Sequence, residues 1–194
     1  MSENRGGVPE RPTLSLSGNW RAVNDEESVV FSLPTMRVRG HTVVYEDVEL
    51  RESVRAATEG AVDQPVRFTF ATNLAFEPPL PPGAGVASVF PTVRESAERE
   101  FASDLRERGF ETVSRGRRDR TRTDEGVRVA LRQYDATVPV DGARVDCEGW
   151  LGVWHDAGDV SLAGGAYVTD SVGGVDVEPG RYRRELLEAI RTVE

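Results

Sequence analysis

Lysine is missing from this chain altogether. All 24 basic residues are arginine, set against 33 aspartates and glutamates, for a formal charge of −9 over 194 residues. Lysine is ordinarily among the commonest residues, so its loss is not sampling noise. A GC-rich coding bias favours arginine over lysine but supplies no acidic excess. A hyperthermophilic surface enriches lysine and glutamate together, which zero lysine contradicts. An acidic, lysine-free surface fits high salt, where the Debye length falls to about 3 Å at 1 M and the repulsion between carboxylates is screened. The composition points to the salt-loaded cytoplasm of an extreme halophile, and to a fold that loosens in dilute buffer.

Other scarcities exclude chemistry. The single cysteine, Cys147, allows neither an internal disulfide nor a cysteine-based zinc cluster. His41 and His155 are the only histidines, too few for a multi-histidine metal site without carboxylates. There is no Gly-x-Ser-x-Gly elbow, so an α/β-hydrolase triad is unsupported. Gly83-Ala84-Gly85 follows prolines rather than a strand and lacks the third glycine of a dinucleotide fingerprint. No apolar run reaches the length of a membrane span. Met1 to Pro12 is polar, without the apolar core of a signal peptide. These absences leave no named catalytic residue, no metal site and no cofactor, and they favour a cytoplasmic chain that does not meet a membrane.

What is present is enough for a core. With 38% apolar residues, a chain of this length buries about 70% of its unfolded surface as one domain. Residues 1–12, with Gly6, Gly7, Pro9 and Pro12, read as a disordered tail ahead of a single domain over 13–194. Thr13 to Ser17 alternates with period two. Ser28 to Leu33 and Met36 to Tyr45 are rich in valine and aromatics, as is Val66 to Phe70, and all read as strands. Asp47 can cap a short helix with Leu50, Val54 and Ala57 on one face, with a strand as the alternative. Prolines 78, 79, 81 and 82 exclude helix and central strand and leave a stiff polyproline-type crossing.

The second half is plainer. Thr92-Val93-Arg94-Glu95 matches a capping box and predicts a helix start at Thr92. Val93, Ala97, Phe101 and Leu105 then recur every four residues, and Gly109 stops the helix. Strands follow from Phe110, from Val127 to about Val140, from Val145 to His155 and from Val160 to Thr169, joined by short turns. Tyr182, Leu186, Ile190 and Val193 share a face of a closing helix. The reading is α+β: a single antiparallel sheet of about six or seven strands, ending in a four-strand meander, with amphipathic helices packed on it. A helix, a meander and a closing helix over residues 90–193 resemble the Mog1/PsbP-like fold in element order. Glu148-Gly149-Trp150-Leu151-Gly152-Val153-Trp154 with Ala163-Gly164-Gly165-Ala166-Tyr167 is similar to stretches of haloarchaeal proteins of unassigned activity. The first resemblance implies a binding or assembly factor rather than an enzyme, and brings no site residue with it.

Three candidate sites follow. If Ala157-Gly158 forms the tip of the 145–169 hairpin, cross-strand partners sum to 315, setting Trp150 opposite Gly165, Trp154 opposite Ser161 and Glu148 opposite Tyr167. A tryptophan over a bare glycine fills the missing side chain. Glu148, Trp150, Trp154 and Tyr167 then share a face that either lies under a helix or forms a contact surface for a protein partner or a second copy, as in a homodimer. Cys147 lies on the aliphatic side as an inert small hydrophobe. A small-molecule or enzymatic pocket at the sheet end is the alternative, built on His155, Glu148 and an arginine such as Arg115. The third candidate is nucleic-acid binding through Arg115, Arg117, Arg118, Arg120 and Arg122. Strict strand alternation splits these arginines between two faces, and counterion-release binding weakens steeply with salt. Both weigh against nucleic acid and favour pairing with surface carboxylates. The leading reading is a non-catalytic binding or assembly domain.

Overall fold

The computed structural model describes residues 7–81, 83–140 and 142–194. Seven strands form one antiparallel sheet: β1 (Trp20–Leu33), β2 (Met36–Asp47), β3 (Arg67–Glu77), β4 (Glu111–Arg122), β5 (Arg128–Val140), β6 (Ala143–Asp156) and β7 (Asp159–Val168). Their spatial order is β1-β2-β3-β7-β6-β5-β4. The meander β4–β7 therefore folds back to lay β7 against β3, and β1 and β4 are left as free edges. Three helices complete the α+β fold: α1 (Val48–Ala57), α2 (Val86–Glu107) and α3 (Pro179–Arg191).

The two larger helices sit on opposite faces. Phe101 of α2 packs on Phe70 and Tyr134, and the even-numbered side chains of β3 and β5 point to it. On the other side, Gly152 is bare because a Cβ there would meet Ile190 of α3 at 2.7 Å. Gly165 is tighter still: an added Cβ would lie 2.1 Å from the Phe68 carbonyl oxygen. The β6–β7 register sets Trp150 against Gly165, Trp154 against Ser161 and Glu148 against Tyr167. Its tip holds Ala157 and Gly158, both at positive φ, as a two-residue hairpin turn requires. Asp47 caps α1 by accepting from the Leu50 N–H at 3.0 Å.

The structure departs from the sequence reading at several places. Helix α2 begins at Val86 rather than Thr92, with Gly85 as a cap that offers no side-chain hydrogen bond and Pro91 inside. The first turn survives the proline because Val86 is buried and Phe90 packs on His155; apolar burial outweighs one missing N–H. Strand β1 reaches back to Trp20 through Asn24 to Ser28, which carry no strand pattern of their own. Its register is imposed by pairing with β2, and its outer side faces solvent as an edge strand's does. Residues 13–17 are not a strand, although Thr13 and Glu194 exchange two backbone hydrogen bonds. Within the expected tail, Pro9 and Pro12 are buried; residues 1–6, like Pro82 of the proline crossing, lie outside the described residues.

Candidate functional site

The tryptophan layer lies under a helix. Trp150 is fully buried and Trp154 and Tyr167 nearly so, because Tyr182, Leu186 and Ile190 of α3 cover that face of β6 and β7. Glu148 is the polar centre of the layer. It accepts from Trp150 Nε1 at 2.8 Å, from Gln133 Nε2 at 3.0 Å and from the Tyr167 hydroxyl. The guanidinium groups of Arg117 and Arg183 lie 5.3 and 5.1 Å from the Trp150 ring centroid, from the edge strand and from α3. Burial and the hydrogen bond to Glu148 push the Tyr167 hydroxyl well above its ordinary range. Gln133, Trp150 and Tyr167 all donate to Glu148, so the buried Trp150, Trp154 and Tyr167 join the sheet to α3 and only the half-buried Glu148 reaches solvent.

His155 and Glu148 do not share a site. They are seven residues apart on β6, which is about 23 Å along a strand, and their side chains point to opposite faces. The His155 ring instead meets Phe90 edge-on at 4.6 Å between centroids. Cys147 is buried, and desolvation pushes its thiol up to about 12. Among the described residues no group of three or more His, Cys, Asp or Glu could hold a metal ion.

A groove of about 520 Å³ opens between residues 14–17, Trp20, Thr69 and the Glu185–Thr192 side of α3. Beside it lies a rivet that sequence reading missed. Arg67, buried in β3, bonds Asp47 at 2.8 Å and also Glu185, and it stacks between the rings of Trp20 and Tyr182 at 4.6 and 4.0 Å. Both terminal nitrogens of the guanidinium are bonded, so it ties β1, β2, β3 and α3 together.

The arginines of β4 are arranged differently from strict alternation. The pairing with β5 steps from Arg115↔Tyr134 to Arg118↔Arg132, three residues on β4 against two on β5. This bulge shifts the phase of the strand. Arg115 therefore shares the α2 face with Arg118, Arg120 and Arg122, and only Arg117 turns to the other side, over Trp150. Arg128 and Arg132 of β5 stand on the same face, directly opposite Arg122 and Arg118. Two of these arginines are neutralised. Arg132 donates to the buried carboxylate of Glu98 at 2.9 Å, and Arg115 bonds Glu95 at 2.7 Å and approaches Glu98 at 3.7 Å. The Arg115 hydrogen bond holds the Glu95 carboxyl below its usual range, and the nearby charges of Arg99 and Arg118 act the same way. Arg94 Nε, 3.8 Å from Glu98, is buried without a hydrogen-bond partner. The other four stand apart. Among the described residues, Arg118, Arg120, Arg122 and Arg128 are exposed and have no carboxylate within 4.0 Å; Arg122 reaches only the Gly126 carbonyl, at 2.7 Å.

Comparison with known proteins places this sheet in a family. The model of DUF6517, described as a domain of unknown function, matches residues 8–194. The chain belongs to that family. No curated protein matches it. Among solved structures it is similar to a crystal structure of LpqN, described as involved in cell envelope biogenesis of Mycobacterium tuberculosis. The likeness spans 96% of this chain and 85% of that one, at 9% identity and a TM-score of 0.37, too distant to carry chemistry across. No described helix is long and apolar enough to cross a membrane.

Proposed function

We propose that this member of the DUF6517 family is a non-catalytic binding domain that engages a polyanionic partner through the arginine face of β4 and β5, in a salt-rich cytoplasm. One observation carries the reading: Arg122 faces Arg128, Arg118 faces Arg132, Arg120 stands between them, and only Arg132 has a carboxylate. Like charges directly opposed across strands are destabilising, and 33 carboxylates were available to compensate them. A stripe left uncompensated in a chain of net charge −9 is suited to carboxylates or phosphates supplied from outside, which arginine binds bidentately. The resemblance of residues 90–193 to the Mog1/PsbP-like arrangement, whose members are mostly binding or assembly factors, supports a binding role.

The test is fluorescence anisotropy with labelled poly-L-glutamate, in the lowest KCl concentration that keeps the chain folded. Saturable binding is expected, weakened about tenfold or more, or by at least 1.4 kcal/mol, in the variant R118S/R120S/R122S. Equal binding by the variant and the parent would remove the arginine face from consideration.

A further inference from the structure

The arginine face is carried by an edge. Among the described residues, strand β4 has β5 on one side and no strand on the other, so a row of backbone N–H and C=O groups is open to a further strand. Over Arg118–Arg122 the pairing with β5 runs without a register shift, which makes this the regular part of the edge. The backbone N–H of Arg120 donates to Asp119 Oδ1 at 2.8 Å, a stand-in acceptor supplied by its own neighbour. Arg118, Arg120 and Arg122 are alternate residues on one face, about 7 Å apart along the strand. An extended peptide presents its own alternate side chains at that spacing.

We propose that β4 takes an extended acidic peptide segment as an eighth strand, with Asp or Glu at alternate positions opposite Arg118, Arg120 and Arg122. This rests on the reading of the arginine face given above. Charge complementarity selects the side chains, and ladder hydrogen bonds supply what salt does not screen. In molar salt the Debye length is about 3 Å, so attraction at a distance fades while bidentate and backbone hydrogen bonds persist. Nucleic acid fits the face less well. Its affinity rests on counterion release, which fails first as salt rises. It also calls for stacking on aromatic rings, and no aromatic side chain is exposed among the described residues. A second copy fits less well through its acidic β1 edge, where Asp25 is held by Arg11 and His41 and Glu27 by Arg39, leaving Glu26 with only the Asn24 amide among the described residues.

The test compares three probes of equal charge in KCl: the peptide Val-Glu-Val-Glu-Val-Glu-Val, the same peptide with proline in place of every valine, and a short oligothymidylate. The valine peptide is expected to bind at least about tenfold more tightly than either other probe, to lose that advantage in R118E/R120E, and to slow amide exchange across residues 118–122. Comparable affinity for the proline peptide or the oligothymidylate, or no slowing of exchange, overturns strand addition while leaving an anion-binding face. Failure of all three probes and of poly-L-glutamate overturns the face itself.

Discussion

Glu148 shows how a residue that looks like a site can be a structural centre. Three side-chain donors converge on its carboxylate beneath α3, so replacing it removes the acceptor of the buried Trp150 and Tyr167. Glu148→Leu is expected to cost about 2–3 kcal/mol, read from denaturant midpoints in molar KCl; an unchanged midpoint would mean that the donors find other partners. Arg122 makes the opposite case. It opposes Arg128 directly, and Arg122→Gln should raise stability by a few tenths to about 1 kcal/mol at the lowest workable salt, fading as salt rises; a loss of stability would refute uncompensated repulsion. Asp25, at the other edge, has its carboxyl held below the usual range by hydrogen bonds from His41 and then Arg11. A depressed carboxyl stabilises the fold above its unfolded value of about 3.9 and ceases to do so as pH falls through the lower folded value. The pair is exposed and its effect small, so Asp25→Asn should flatten slightly the fall of stability below about pH 4. An identical acid profile would contradict the assignment.

At the scale of elements, sequence periodicity reported most of what sheet and helix faces impose. Leu50 and Val54 in α1, Val93 to Leu105 in α2 and Tyr182 to Ile190 in α3 point inward as their spacing demands, and the β6–β7 register followed from its turn. What could not be read was set by neighbours. The start of α2 depends on Phe90 finding His155, and β1 extends only because β2 is there to pair with it. The β4 bulge at Gly116 and Arg117 leaves no periodic trace, although a glycine inside a strand pattern was an available hint. Missing the bulge placed Arg115 on the wrong face, whereas Arg118, Arg120 and Arg122 share a face with or without it. Close backbone approach gives a sharp prediction at Gly165, where a Cβ would strike main-chain atoms of Phe68 and Thr69. Gly165→Ala should cost more than about 4 kcal/mol or prevent folding. At Gly40 the added atom meets side chains alone, those of Thr72, Val30 and Leu74, so Gly40→Ala should be the milder of the two. Circular dichroism and denaturant melts in molar KCl rank them, and the reverse order would contradict the packing.

At the scale of the whole molecule, we read the missing lysine and the excess carboxylates as adaptation to a salt-rich solvent. The chain should unfold or loosen as KCl is diluted, because unscreened acidic groups repel one another; full stability in dilute buffer would refute adaptation to high salt. The tryptophans are buried, the groove beside Trp20 is lined by no cationic side chain among the described residues, and the β4–β5 stripe keeps free guanidinium groups beside an open backbone edge. The most direct test is amide chemical-shift mapping of the isotope-labelled chain titrated with poly-L-glutamate in KCl. The perturbed amides should cluster at residues 115–122 and 128–132. Perturbations confined to the groove at residues 14–20 and 185–192, or none at all, would contradict the central claim.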